Sequence, residues 1–266
     1  MKSSISLILI ILVKLLQLGH LSSSPTIIIA SFDDADPPPP ELVQYDFFYF
    51  VQTWPGFGSK KDKKLVPNSF TIHGLWPQRK KGRMPDCPTT PRFQPNLISK
   101  DTRKELDRQW VALNPKLTNV EFWKHEWEKH GTCSNDQLNQ VQYFDTALRL
   151  KRQYDILKIL EAKGIKPNDG SYKVSAIKAA IKEKIRYDPI VRCVEKEKLK
   201  LILYEIFLCV AKDGSKFEEC ETSKEDIPIP IDEEEYEAST CPNDGTIIFP
   251  KIIWKEDNYC KMMIMK

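Results

Sequence analysis

Three histidines, His73, His125 and His130, fall in two short tryptophan-rich segments, Phe70–Pro77 (FTIHGLWP) and Phe122–Cys133 (FWKHEWEKHGTC). The fourth, His20, lies near the N-terminus. The second segment also carries Glu126 and Lys129. On a helix turning about 100° per residue, Glu126, Lys129 and His130 share one face, with His125 about 100° round from Glu126. A carboxylate, an ammonium and an imidazole brought together in this way suit acid–base work on an anionic substrate.

A pair of imidazoles can run such chemistry without a metal. One neutral ring takes a proton from a nucleophilic hydroxyl, and a protonated ring gives one to the leaving oxygen. Lys129 would stabilise charge growing on a phosphoryl group. Glu126 would favour a protonated His130 or orient it. RNA carries an internal 2′-hydroxyl nucleophile that DNA lacks. The residues by themselves therefore suggest metal-free transesterification of RNA, with a phosphoesterase of other specificity left open.

Two plainer readings compete. A zinc peptidase helix needs histidines four apart, whereas His125 and His130 are five apart and about 140° round, a poor fit to one tetrahedral ion. Histidines can also simply pack in a core, but all three lie in segments of one type, and one has Glu126 and Lys129 on its face. Trp123 and Trp127 are read as core.

These side chains need elements to hold them. Thr118 and Glu121 have the spacing of a capping box and Gly131 stands where a C′ glycine would end a helix, so a helix is expected over Asn119 to His130. Phe70 to Pro77 reads as a short apolar strand that ends on His73 and turns at Gly74. Glu41 to Trp54, rich in aromatics, reads as a central strand. Helical spacing marks Leu97 to Leu113, Gln137 to Ala162 and Ser171 to Ile185. Leu199 to Ala211 is a long apolar strand, with a hairpin turn at Asp213-Gly214, and Thr246 to Phe249 a short last one. Helices between strands at both ends give an α+β class.

The chain has 266 residues, 41% hydrophobic and 29% charged, enough for one domain with a full core or at most two small ones. Its net charge of +3 includes Lys2 and Lys14 of a leader without acidic residues, so global charge says little about partners. Residues 1–30 resemble a secretory signal peptide and 31–40 form an acidic, proline-rich linker. The domain is expected over 41–250 and a tail over 251–266. No later stretch is apolar and long enough to span a bilayer. Seven cysteines in an exported chain suggest three disulfides and one thiol left over, and no Cys-x-x-Cys pair suggests a metal site. Basic runs at Gly58–Lys64 and Gln78–Arg83 flank the His73 strand and could steer a polyanion. Glu221 to Glu237 is an acidic loop.

FTIHGLWP and FWKHEWEKHGTC together resemble the two active-site segments of the ribonuclease T2 family, in its plant branch of S-RNases and S-like ribonucleases. Tyr45–Pro55, Tyr187–Cys193 and Phe207–Val210 match as well, so the resemblance spans about Glu41 to Pro250. It implies an α+β fold with a central antiparallel sheet, helices packed around it and stabilising disulfides. It also implies cleavage of single-stranded RNA, not DNA, through a 2′,3′-cyclic phosphate, without a cofactor, by a secreted or vacuolar monomer.

By the same resemblance, His73 would be the acid that protonates the leaving 5′-oxygen and His130 the base for the 2′-hydroxyl. Glu126 and Lys129 would stabilise the transition state and His125 would bind phosphate. Trp76, Phe122 and Gln52 would contact bases. The pairs Cys87–Cys133, Cys193–Cys241 and Cys209–Cys220 would close, leaving Cys260 free or pairing between chains. The sequence departs from the family in lacking a cysteine between Gly56 and Pro67, in its long acidic loop and in having no Asn-x-Ser/Thr sequon. The implied role is phosphate recovery or defence; the alternatives are pistil self-incompatibility and a catalytically weak storage or binding protein on the same fold.

Overall fold

A computed structural model describes residues 43–57, 66–82, 84–196, 200–220 and 238–254. The leader, the linker, the first basic loop, the acidic loop and the tail from residue 255 onward, with Cys260, lie outside the described residues. The fold is α+β: an eight-stranded sheet with helices supplied by the middle of the chain.

Strand β1 (Phe47–Thr53) is buried along its whole length, as its aromatic and β-branched composition favours. It lies between β2 (Thr71–Gln78) and the twelve-residue β5 (Lys200–Ala211), antiparallel to both. β3 (Gly170–Lys173) pairs with β8 (Thr246–Phe249). β4 (Ile190–Lys196) runs beside β5 and carries β7 (Ala238–Thr240) on its other side. The turn at Asp213-Gly214, with Gly214 at positive φ, returns β5 to β6 (Phe217–Glu218). The path is β2-β1-β5-β4-β7, which makes β2 an edge strand.

Alternate side chains of β1 go to different places, as strand geometry requires. Phe48 and Phe50 join the main core with Trp110, Trp123, Trp127 and Phe144 from the helices. Phe47, Tyr49 and Val51 face the other way and pack with Trp76, Phe207 and Cys209. That smaller cluster floors the candidate site.

Helix α1 (Lys100–Gln109) is shorter than the spacing suggested, because Ser99 caps its start by accepting from the Thr102 amide. Helix α2 (Asn119–Lys129) opens on the expected capping box of Thr118 and Glu121. The long amphipathic stretch from Gln137 divides into α3 (Gln140–Gln153) and α4 (Ile156–Glu161). Tyr154 is extended there, and Asp155 accepts from the Lys158 amide to start a new helix. The helix expected from Ser171 is α5 (Val174–Ile185), preceded by strand residues claimed by β8. β4 was not expected, since its seven residues mix Arg192, Glu195 and Lys196 with apolar ones.

Three disulfides tie these parts within the chain. Cys193–Cys241 joins β4 to the segment after β7, and Cys209–Cys220 joins β5 to the segment after β6. Cys87–Cys133 anchors the 3-10 turn Gly131–Ser134 that follows α2.

Candidate active site

Strand β2 does not end on His73. Gly74 pairs with Val51 and Ile72 with Gln52, so His73 is one residue more than β1 can match. Such a bulge re-aims a side chain. The imidazole Nδ1 lies 2.6 Å from Oε1 of Glu205 in β5, and the same oxygen accepts from the Thr53 hydroxyl at 2.9 Å. Glu205 is 0% exposed. Trp110 Nε1 donates to the His73 carbonyl at 2.8 Å, which pins the bulge to the end of α1.

The second half of the site comes from the end of α2. Its last residue is Lys129, and His130 leaves helical geometry at φ −127°. Gly131 does not end the helix in a left-handed conformation as its spacing suggested. It starts a 3-10 turn, and a Cβ there would lie 2.3 Å from the Trp127 ring, so close packing demands the glycine. The shared face of Glu126, Lys129 and His130 is altered for the same reason. Glu126 is buried and Lys129 exposed, and regular rotation no longer applies at His130.

Trp76 joins the two halves. Its Nε1 donates to Glu126 Oε2 at 2.8 Å. Its ring meets His73 edge-on at 4.9 Å between centroids and stacks with His130 at 5.1 Å. Burial pushes the His130 imidazole well below its ordinary range, and positive charge on Lys129, His125 and His73 pushes it the same way. Tyr143, raised well above its usual range by burial and then by the Glu126 charge, backs the cluster. Phe122, half-buried, stands 5.8 Å from His73 between ring centroids. His125 is half-buried and Lys129 exposed.

Residues 45–220 match the model of the ribonuclease T2 family. The chain belongs to that family. It is 39% identical over 220 residues to Ribonuclease 1 of Arabidopsis thaliana, covering 79% of this chain and 92% of that one. Over 186 residues it is 39% identical to Extracellular ribonuclease LE of Solanum lycopersicum, covering 66% and 80%. The crystal structure of RNase NT in complex with 5′-AMP superposes with a TM-score of 0.66 at 30% identity, covering 78% of this chain and 99% of that one. The protein is a T2-type ribonuclease of the plant branch, with RNA as its substrate.

Not every expected base contact in this T2 ribonuclease faces the site. Gln52 is 1% exposed, one residue off the register of Tyr49, Val51 and Thr53, and its Oε1 accepts from Lys151 Nζ at 2.7 Å in the helix layer. It is therefore removed from the group of base contacts. Trp76 is 2% exposed and stacks with His130, so in this conformation its ring is packed by protein where an open base-stacking face was expected.

Three site residues escaped the sequence reading. Thr53 and Glu205 touch the His73 cluster directly. Arg192 of β4 pairs across the sheet with Glu205, lies over the Phe207 ring and donates through Nη2 to the Ala238 carbonyl. The available signal was Glu205 itself, a lone acid inside the apolar run LILYEIFLCV.

Proposed function

We propose that this ribonuclease is an endonuclease that cleaves single-stranded RNA by transesterification, through 2′,3′-cyclic phosphates to 3′-phosphate ends. The observation that carries this reading is the contrast between the two imidazoles beside Trp76. His130 is half-buried among cationic neighbours, which favours the neutral ring a base must have at the start. His73 lies against a buried carboxylate, which favours the protonated ring an acid must have.

His130 takes the proton of the 2′-hydroxyl while O2′ bonds to phosphorus. His73 protonates the 5′-oxygen as its bond to phosphorus breaks. Water then opens the cyclic ester with the two roles exchanged. Lys129 and His125 offset charge on the non-bridging oxygens. Glu126, held by the Trp76 indole, orients donors toward the same centre, and Phe122 walls a base site. DNA offers no 2′-hydroxyl and is left intact.

The domain of residues 41–250 works as a monomer and needs no cofactor. Residues 1–30 direct it into the secretory route, to the outside or the vacuole, for phosphate recovery or defence.

The test is incubation of a single-stranded RNA oligomer and its DNA counterpart with the folded protein in excess EDTA. Cyclic phosphate ends from RNA alone are expected. Chelator-sensitive cleavage, or cleavage of both strands, would overturn the mechanism. Mass spectrometry of the protein recovered from its own tissue should find the mature N-terminus within or just after residues 1–30; a retained leader would refute export.

A further inference from the structure

Outside the groups assigned above, the described residues hold a buried polar cluster beneath His73. Its centre is Glu205, wholly buried in the middle of the sheet. A carboxylate there is costly unless it is engaged. Its Oε1 takes two contacts, from His73 Nδ1 and from the Thr53 hydroxyl, while Oε2 has no hydrogen bond among the described residues. Arg192 supplies the compensating charge nearby, and its Nε is likewise without a hydrogen bond. Simple packing would place an apolar side chain here, as the flanking Phe207 and Leu203 do.

We infer that Glu205 is a positioning residue for catalysis, which fixes His73 with its proton on Nδ1 and presents Nε2–H to the leaving oxygen. This rests on the reading of His73 as the acid. A carboxylate accepting from one ring nitrogen settles which nitrogen is left to act, and holds the ring plane. Glu205 accepts from Nδ1 throughout and is not a carrier of the transferred proton. The proton on Nε2 passes to the 5′-oxygen, and His73 is left neutral with its Nδ1–H still on Glu205. Thr53 holds the same oxygen from the β1 side, so the acceptor cannot swing away from the ring.

The groups facing His73 divide by sign. Glu205, 2.6 Å from the ring, favours its protonated form; His130, close enough for the two charges to repel, opposes it. Removing the Glu205 charge therefore lowers the pH at which His73 loses its proton, and the basic limb of the pH–rate profile moves down.

The experiment compares two substrates with the same 3′-nucleoside. In a dinucleoside phosphate the leaving alkoxide needs a proton. In the corresponding 3′-(4-nitrophenyl phosphate), nitrophenolate leaves without one. For Glu205→Gln, kcat on the dinucleotide should fall at least about tenfold, against about threefold or less on the nitrophenyl ester. The basic limb should move down by about one pH unit. Equal losses on both substrates would show a merely structural role and overturn the inference.

His73→Ala separates the two levels of the claim. A selective loss in His73→Ala without one in Glu205→Gln would leave the acid in place and remove its positioner. A non-selective loss in His73→Ala would remove the acid reading, and this inference with it. Thr53→Val, which keeps all charges, should lose less in the same selective pattern. If Glu205→Gln does not fold, nitrogen NMR of His73 in the unaltered protein decides. The neutral ring should carry its proton on Nδ1, and a proton on Nε2 would overturn the inference.

Discussion

The indole nitrogen of Trp76 donates to Oε2 of Glu126 at 2.8 Å across the gap between β2 and α2. Only a glycine two residues earlier leaves room for this. A Cβ on Gly74 would lie 2.0 Å from Trp76 Nε1 and 2.2 Å from Glu126 Oε2. Gly74→Ala should therefore break the hydrogen bond or push both groups apart. Overpacking of this kind costs about 1–3 kcal/mol. We expect a lowered Tm, and a kcat/KM on RNA reduced well beyond what that loss of folded protein explains. An unchanged kcat/KM would mean that Glu126 needs no such hold.

His73→Ala and His130→Ala should each reduce cleavage by about 10²–10⁴-fold, the usual worth of a general acid or base. Lys129→Ala should slow turnover by less, because Lys129 is exposed and its charge is partly screened. Single-turnover rates on one RNA oligomer give the ranking. A Lys129 effect as large as that of His130 would promote it from stabiliser to proton carrier.

The lowered His130 pKa has two consequences of the same sign. A base must be neutral, so the acid limb of kcat/KM should fall below the ordinary imidazole value of about 6.5. The folded pKa lies below the unfolded one, so at low pH the unfolded chain binds the extra proton. His130 therefore stabilises the fold least in acid, and its contribution recovers as pH rises through the unfolded pKa. In His130→Gln, the fall in unfolding free energy between about pH 6.5 and pH 5 should be shallower than in the parent.

Lys151 is buried, and burial brings its pKa down to about 8. Between that value and the unfolded pKa of about 10.4, the unfolded chain holds a proton that the folded one has released. Stability should thus rise with pH in this window, by up to about 1.4 kcal/mol per pH unit. Lys151→Met should remove the rise, as followed by urea unfolding from pH 7.5 to 10. The partner variant Gln52→Ala should lower stability by leaving the ammonium unpaired, and should not alter base preference. A changed preference would return Gln52 to the site.

Cys87–Cys133 closes a loop over the turn that carries His130, whose carbonyl accepts from the Cys133 amide. The double variant Cys87→Ala, Cys133→Ala should lose about 2–4 kcal/mol of stability. Activity should fall more steeply with temperature than in the parent. Parallel behaviour of the two proteins would show that the bridge does not hold the site.

Local chemistry was legible in the sequence wherever it is settled by near neighbours. The capping box of Thr118 and Glu121, the Asp213-Gly214 turn and the apolar run of β5 depend on residues a few places apart. The two histidine segments were legible because their residue types are rare and clustered. The rest depended on register. A single extra residue at His73 decides which way that side chain points. One step along β1 separates Thr53, which touches Glu205, from Gln52, which touches Lys151 in the helix layer. Because strand side chains alternate with period two, a pairing between distant segments sets their direction, and no local pattern encodes it. His73 and Glu205 are 132 residues apart in the chain, and only the folded sheet brings them to 2.6 Å.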